Sequence, residues 1–166
     1  MTKSISDRQA LFEKVLRSFE AYYNIDRENP LPPFDAEASF DMHDEQYFLI
    51  RSARISEADS REYVFFRVLE RLDLETFRDL DRAAWETCLS RVDLSGNHRN
   101  TDVCLVIIAD TIDPDAGEAL RRKDHYKSYR FGLKGWSSSR MTAYECTTGT
   151  CFCSRRGQAL KELFKA

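Results

Sequence analysis

Val103-Cys104-Leu105-Val106-Ile107-Ile108-Ala109 is the stretch that decides the fold. It is an unbroken apolar run, without the polar alternation of a strand that has one face in water, so it predicts a strand covered on both faces. We expect this strand to form the centre of a β-sheet, with Val106 and Ile108 buried. The run is far shorter than the ~20 apolar residues that a membrane-spanning helix needs.

Downstream of this strand, the sequence predicts a parallel crossover. Asp113 is a suitable N-cap and Pro114 suits the first helical position, so a short helix is expected over residues 114–122. The strand-like run Tyr129–Trp136 follows, and a strand, a helix and a strand in this order are typical of a right-handed parallel crossover. A hairpin and a last helix complete the chain, over Met141–Cys146, Cys151–Ser154 and residues 157–165.

Upstream, two helical patterns enclose a segment with strand periodicity. Apolar residues at helical spacing predict helices over residues 7–23 and 74–91. Between them the pattern has period two, which predicts an antiparallel meander of three strands. These strands are Ala36–Phe40, Tyr47–Ile55 and Tyr63–Leu69. We therefore expect one globular α+β domain over residues 1–166, with a mixed sheet around residues 103–109, an N-terminal meander and about four flanking helices.

The charges are distributed unevenly along the chain. The sequence has 166 residues, of which 42% are hydrophobic and 32% charged, as in ordinary globular proteins. Residues 121–166 contain eleven Lys or Arg and three acidic residues, a net charge of +8, although the whole chain has a formal charge of −3. Such an asymmetry can mark an anion-binding surface, or one half of the domain can pack against the other and neutralise it.

Aromatic residues alternate with cations in the first part of this basic segment. Lys and Arg bind phosphates and aromatic rings stack on bases, so an anionic ligand or a nucleic acid is the expected partner. A strand over residues 128–136 would place basic side chains on one face, and the turn after Gly135 would offer backbone N–H groups. The predicted anion-binding residues are Arg130, Lys134, Trp136 and Arg140. The alternative is a half-buried strand whose polar face is merely solvated.

The chain contains five cysteines, an odd number that does not suggest the disulfide framework of a secreted protein. Cys88 and Cys104 lie within apolar patterns, so we expect them to be small buried hydrophobes.

The other three cysteines, Cys146, Cys151 and Cys153, are the best metal or redox candidates. A two-residue turn at Thr148-Gly149 would place Cys146 opposite Cys151, with Cys153 on the same face as Cys151. Zinc needs four ligands, usually in pairs spaced by two residues, and this segment alone does not provide them. We therefore predict apolar filling and reduced thiols, with no metal and no cofactor.

No standard enzyme signature is present, so whether the chain is an enzyme stays open and no catalytic residue is assigned. Asp110 follows the central strand at its carboxyl end, where open sheets often bind ligands, but a capping or turn role explains it as well. The three histidines, His43, His98 and His125, share no metal-binding spacing.

Three segments together carry a family resemblance: Glu62–Phe66, Leu105–Asp110 and Tyr126–Trp136. In this order the chain resembles a family of small uncharacterised prokaryotic proteins, which implies no activity and no site residue. The element order also resembles the restriction-endonuclease-like fold, whose nucleases hold Mg²⁺ with an acid on the second strand and an acid-x-lysine on the third. The corresponding strands here lack that triplet, so the resemblance implies at most a degenerate nuclease.

Two function classes follow from these observations. The first is a non-enzymatic cytosolic binding or regulatory module with an anion-preferring basic surface. The alternative is a metal-dependent hydrolase of nuclease-like fold with a degenerate centre, which would use acids such as Asp110. The polar start Met1–Asp7 lacks a secretory core, so we expect a cytoplasmic location and no membrane partner. The sequence leaves the ligand and the oligomeric state open.

Overall fold

The apolar run 103–109 lies in the middle of the sheet, as its composition predicted. A computed structural model describes residues 5–41, 59–95 and 98–165, and in it the strand His98–Ile112 contains this run. Val106 and Ile108 are each 1% exposed, which confirms their predicted burial. Parallel strands pair with both edges of this strand, so its buried backbone N–H and C=O groups find partners within the sheet.

Within the described ranges, three α-helices, seven strands and two 3-10 helices surround two hydrophobic cores. The α-helices are α1 (Ile5–Phe19), α2 (Leu74–Ser90) and α3 (Pro114–Arg122). The strands are β1 (Asn24–Asp26), β2 (Ala36–Asp41), β3 (Asp59–Leu72), β4 (His98–Ile112), β5 (Tyr126–Ser128), β6 (Trp136–Glu145) and β7 (Thr150–Cys153). The 3-10 helices are η1 (Arg130–Gly132) and η2 (Gln158–Phe164). Together they form a single domain of the predicted α+β class.

The strands form one mixed sheet in the order β1-β2-β3-β4-β6-β5. The strands β1, β2 and β3 are antiparallel, whereas β3, β4 and β6 are parallel. The outer edge of β6 is shared by two short antiparallel strands. Its first residues pair with β5, and residues 142–145 pair with β7. The two halves of β6 therefore have different neighbours.

Side chains alternate between the two faces of the sheet and build a separate core on each. Phe65, Leu105 and Met141 belong to the core under α2 and α3. Phe66 and Val106 belong to the core under α1, against which η2 also packs. The central strand thus contributes to both cores, which explains why its sequence has no polar alternation.

The predicted strand Tyr129–Trp136 is wrong. The chain forms the short β5, then η1, and the next long strand begins only at Trp136. Arg130 and Phe131 have left-handed backbone angles, with φ of 48° and 57°. Gly135 has φ of +78°, and a Cβ there would lie 1.7 Å from the backbone oxygen of Arg99 in β4. These turns break the period-two pattern, so Phe131 is 104% exposed instead of buried. The expected parallel crossover after α3 exists, but β6 completes it.

Most other predicted elements are confirmed with adjusted ends. The helix expected over residues 7–23 ends at Phe19, and α2 and α3 match their predictions within one residue. The last helix, expected over residues 157–165, is a 3-10 helix. The strands expected from periodicity at 36–40 and 63–69 lie within β2 and β3. The predicted strand Tyr47–Ile55 lies outside the described residues.

Candidate functional site

A cavity of about 430 Å³ lies at the edge of the sheet beside β7. Its lining comes from α3, β7, the loop after β7 and η2. The lining residues are Arg121, Cys151, Cys153, Arg155, Gln158 and Lys161. Three of them are cations, and none of the described residues that line the cavity is acidic. We call this the thiol cavity.

Close packing of α3 on β7 forms one side of the thiol cavity. Gly117 lies so near to Phe152 that a Cβ on it would be 2.4 Å from the aromatic ring. Arg121 follows four residues later, on the same face of α3. Its guanidinium lies 4.7 Å from the centre of the Phe152 ring. The missing side chain at Gly117 therefore allows α3 to bring a cation to the edge of β7.

The other side of the cavity is formed where η2 follows β7. The side-chain amide of Gln158 donates to the carbonyl oxygen of Ser154 at 3.0 Å, which holds the start of η2 against the end of the strand. In a 3-10 helix, residues three apart lie above one another. Gln158 and Lys161 therefore face the same side, and both line the cavity.

Two thiols lie side by side in this cavity. Cys151 and Cys153 are separated by one residue on β7, so both side chains lie on the same face of the strand. Their sulfur atoms are 3.7 Å apart, and the hydroxyl oxygen of Thr142 on β6 lies 3.3 Å from each sulfur.

The two thiols have different proton affinities. The hydrogen bond between the two sulfur atoms lowers the pKa of Cys153 to about 6, and the charges of Lys161 and Arg121 act in the same direction. The same hydrogen bond, together with burial, raises the pKa of Cys151. The pair therefore holds one thiolate and one thiol near neutral pH.

The cations of the cavity are only weakly neutralised. Arg155 lies 3.6 Å from Asp124, with 79% of its side chain exposed, and Arg121 lies 4.0 Å from Glu118, with 51% exposed. Exposed ion pairs of this kind contribute little and exchange readily. The electrostatics of the cavity thus favour an anion.

The four predicted anion-binding residues lie elsewhere, in two separate places. Trp136 and Arg140 are both in β6 and share the face of the sheet that α1 covers. Arg130 is exposed in η1. Lys134 lies in the loop before β6, where its backbone carbonyl contacts Nδ1 of His98 at 2.7 Å. Arg130 and Lys134 therefore do not share a strand face, which contradicts the prediction from the sequence. Their role in anion binding stays a prediction.

Arg140 faces acidic groups. Burial lowers the pKa of Arg140, but the neighbouring acidic groups of Cys104, Glu62 and Asp102 raise it by more, so the pKa lies above its ordinary value. A carboxylate environment of this kind stabilises the guanidinium and competes with an external anion. The structure thus places one cation of the basic segment against the acidic half of the chain.

A row of hydrogen-bonded polar side chains, which includes Asp102, lies at the start of the parallel strands. Ser60 donates to Asn100 at 2.5 Å, and Asn100 donates to Asp102 at 2.7 Å. The backbone N–H and the hydroxyl of Ser138 both donate to Asp102, at 3.0 and 2.8 Å. Burial raises the pKa of Asp102. We call these four residues the polar row.

Cys104 lies beside the polar row and is the counterpart of the cavity thiols. Its S–H donates to Glu62 at 2.8 Å, and the hydroxyl of Tyr23 donates to the other oxygen of that carboxylate, also at 2.8 Å. Burial, followed by the nearby carboxylate, raises the pKa of Cys104 well above its ordinary value. This thiol is therefore uncharged and enclosed.

The predicted pairing of Cys146 with Cys151 is wrong. The residue opposite Cys151 is Tyr144, because the connection to β7 has four residues instead of two. The backbone N–H of Cys146 donates to the carbonyl oxygen of Ala109 at 2.8 Å, so the chain continues along β4 before it turns. All five cysteines lie in the described ranges and none is in a disulfide.

The residues weighed for metal chemistry have structural partners. Asp110 forms an ion pair with Arg8 of α1. His98 contacts Thr101, His125 contacts Asp81, and His43 lies outside the described residues. Across the described ranges, no three His, Cys, Asp or Glu side chains are grouped so that they could hold a metal ion.

The sequence analysis missed the cations that line the thiol cavity, Arg121, Arg155 and Lys161. A signal was present, since two cysteines at positions i and i+2 of a strand share one face, and basic residues follow them closely. The contribution of α3 to the cavity had no such local signal.

Comparisons with other proteins give a family and no named relative. No curated protein and no solved structure matches the chain, so the likeness to the restriction-endonuclease-like fold stays an expectation. Among the described helices, none has the length and apolar character needed to span a bilayer. A family model described as "Domain of unknown function (DUF8052)" matches residues 7–166, which confirms the resemblance to an uncharacterised family. The chain belongs to the DUF8052 family.

Proposed function

We propose that this protein is a non-enzymatic binding module for a small anionic molecule, which it holds in the thiol cavity. The observation that carries the proposal is the lining of the cavity, in which Arg121, Arg155 and Lys161 are cations and no described residue is acidic. Charge-assisted hydrogen bonds from such side chains to carboxylate or phosphate oxygens are stronger than neutral ones.

The size of the cavity favours a small molecule over a nucleic acid. Its volume of about 430 Å³ lies in the range typical of small-molecule sites. Nonspecific nucleic-acid binders instead use a basic groove that follows the backbone over several nucleotides. The predicted residues Arg130, Lys134, Trp136 and Arg140 are divided between a loop and a face with acidic groups. A nucleic-acid partner therefore stays the weaker proposal.

A cytoplasmic location in a prokaryote belongs to the same proposal. Thiols that are not in disulfides are typical of reducing compartments. The prokaryotic source is supported only by the sequence resemblance.

Calorimetric titration with pyrophosphate at low ionic strength tests the proposal. The wild-type protein is expected to bind, and the double substitution Arg121→Ala/Lys161→Ala is expected to weaken binding at least about tenfold, because it removes two charge-assisted contacts. Binding should also weaken as salt rises, since the cations are partly exposed.

The matched control is Arg130→Ala/Lys134→Ala, which removes the same charge from the loop before β6. Its affinity for pyrophosphate should stay within about twofold of the wild-type value. Equal weakening by both double substitutions would mean that the net charge, and not the thiol cavity, attracts the anion. No binding by the wild-type protein would overturn the proposal.

A labelled oligonucleotide, followed by fluorescence anisotropy, examines the nucleic-acid alternative. Binding that Arg130→Ala/Lys134→Ala abolishes and Arg121→Ala/Lys161→Ala preserves would contradict our proposal and favour the loop. The hydrolase alternative rests on Asp110, which is paired with Arg8 through one oxygen while its other oxygen is buried without a hydrogen-bond partner among the described residues.

A further inference from the structure

The thiol cavity combines an anion-attracting lining with a pair of adjacent sulfur atoms. Cys151 is partly exposed and Cys153 is buried, yet both line the cavity. Their sulfur atoms, 3.7 Å apart, are in contact but not bonded. A ligand that enters the cavity therefore meets both sulfur atoms and the cations together.

These two sulfur atoms can bond with a local adjustment of the strand, because Cβ atoms on one strand face are about 6.6 Å apart and a disulfide holds them about 3.5–4.5 Å apart. Residues i and i+2 of a strand are about 6.6 Å apart at Cα, and disulfides span Cα separations of about 4.4–6.8 Å. A bond between Cys151 and Cys153 would thus lie near the upper limit of this range. A disulfide under such strain is reduced more easily than a structural one.

We propose that Cys151 and Cys153 form a dithiol–disulfide exchange site that reacts with small anionic disulfides. The inference rests on the proposed function, because the cations Arg121, Arg155 and Lys161 would select the anionic reactant. It adds a reversible covalent step to the binding module, so that the redox state of small thiols controls whether the cavity is open or bridged.

The reaction has two exchange steps. The thiolate of Cys153 attacks one sulfur of the small disulfide RSSR, which breaks the S–S bond, forms a mixed disulfide and releases one RS⁻. The thiol of Cys151 then loses its proton and attacks the sulfur of Cys153, which displaces the second RS⁻ and forms the Cys151–Cys153 bond. The protein is oxidised by two electrons and RSSR is reduced to two RS⁻. The proton of Cys151 goes to one of them, and the other takes its proton from water.

The hydrogen bond with Cys151 and the charge of Arg121 favour this assignment of roles, whereas Lys161 acts on both thiols. Lys161 and Arg121 stabilise negative charge on Cys153, and only a thiolate attacks a disulfide at a useful rate. Cys151 keeps its proton until the mixed disulfide has formed, so it acts as the resolving thiol.

The test exposes the reduced full-length protein to oxidised glutathione, which is anionic, and in parallel to 2-hydroxyethyl disulfide, which is neutral. Acid quenching, alkylation and peptide mass mapping identify the products. The wild-type protein is expected to form the Cys151–Cys153 disulfide. Cys151→Ser should stop at a glutathione adduct on Cys153, and Cys153→Ser should react at least about tenfold more slowly.

A charge comparison separates this inference from the proposed function. Arg121→Ala/Lys161→Ala should react at least about tenfold more slowly with oxidised glutathione, but less than about threefold more slowly with the neutral disulfide. The control Arg130→Ala/Lys134→Ala should match the wild-type protein with both reagents.

The outcomes have distinct meanings. If the neutral and anionic disulfides react equally well through Cys153, the exchange site is supported and anion selection by the cavity fails. If the wild-type protein binds pyrophosphate in the cavity but forms no Cys151–Cys153 disulfide, the inference is overturned and the binding function stands. Adducts distributed equally over Cys88, Cys104 and Cys146 would also overturn it.

Discussion

The strand β6 lies within the basic segment 121–166, but the surroundings of its two halves are opposite in charge. In the first half, which β5 borders, Arg140 is near Glu62 and Asp102. In the second half, which β7 borders, the thiol cavity is lined by three cations and, among the described residues, by no acid. Excess charge along a segment therefore does not define a binding site, because the groups that the cations face decide whether they are available.

Two cysteines show the same contrast. Cys104 donates to a carboxylate in an enclosed site, and its pKa is raised well above the ordinary value. A hydrogen bond with Cys151 and the charge of Lys161 lower the pKa of Cys153 to about 6. One sheet thus holds an inert thiol and an activated one. The difference comes first from the burial of Cys104 and from the hydrogen bond between Cys153 and Cys151, and the neighbouring charges add to both effects.

The largest expected effect is on the sheet that supports both halves of β6. Ile108→Ala removes a side chain that is 1% exposed in β4, so the free energy of unfolding should fall by about 2–5 kcal/mol. Chemical denaturation measures this fall in the free energy of unfolding. The control Phe131→Ala removes a fully exposed side chain and should have no measurable effect. A cost for Ile108→Ala below about 1 kcal/mol would be incompatible with a packed central strand.

The next largest effect is the difference in alkylation rate between the Cys151–Cys153 pair and Cys104. At pH 7, iodoacetamide should modify the Cys151–Cys153 pair at least about a hundredfold faster than Cys104, because only the pair offers a thiolate. Below pH 6, the rate at Cys153 should fall about tenfold per pH unit, as the thiolate is protonated.

Quantitative mass mapping follows each cysteine in one sample, so Cys104 is the internal reference. Labelling in denaturant should make all five cysteines equally reactive, which shows that the fold causes the difference. Equal rates for Cys104 and Cys153 in the native protein would remove the contrast.

Local sequence patterns predicted the elements whose causes are local. The apolar run 103–109 located the central strand, and apolar residues at helical spacing located α2, which Asp73 caps through a 2.7 Å bond from the N–H of Thr76. The segment from Tyr129 to Trp136 has the same period-two pattern as a strand, yet η1 and Gly135 turn the chain there. Alternation alone does not distinguish a strand from a turn with exposed aromatic residues.

The thiol cavity depends on contacts that no local pattern contains. The shared face of Cys151 and Cys153 follows from strand geometry, so this half of the site was predictable. The approach of Arg121 depends on the packing of Gly117 against Phe152, two residues that are far apart in the chain. The sequence analysis therefore chose basic residues that were neighbours in sequence rather than in space.

A smaller effect is expected in the polar row. Asp102→Ala leaves Ser138 and Asn100 without their acceptor, so the free energy of unfolding should fall by about 2 kcal/mol. Asp102→Asn keeps an acceptor and should cost less. Chemical denaturation of both variants, compared with the wild type, measures the difference.

The difference in free energy of unfolding between Asp102→Asn and the wild type should also depend on pH. Burial raises the pKa of Asp102 above 3.8, so the folded protein binds this proton more tightly than the unfolded chain. Ionisation of Asp102 therefore lowers the free energy of unfolding. This stability is fully present below about pH 3.8 and is lost as the pH rises through the pKa of Asp102 in the folded protein. Asp102→Asn cannot ionise, so it should gain stability relative to the wild type between acid and neutral pH. A relative loss over this interval would contradict the raised pKa.

The smallest expected effect is on two arginines, Arg140 in the first half of β6 and Arg155 in the loop after β7. Arg140→Ala removes the cation that faces Glu62 and Asp102, so unfolding should become easier by about 1 kcal/mol. Arg155→Ala removes a side chain that is 79% exposed, and its effect on stability should be close to zero. For pyrophosphate affinity the order should reverse, since only Arg155 lines the thiol cavity.

The two substitutions remove the same side chain and the same charge, so each is the control for the other. Denaturation and calorimetric titration on the same preparations give both quantities. A half-buried cation that stabilises the fold and an exposed one that binds a ligand must differ in both measurements, in opposite directions. If Arg140→Ala weakened anion binding more than Arg155→Ala, the anion site would lie in the first half of β6, and the surface predicted from sequence would be the correct one.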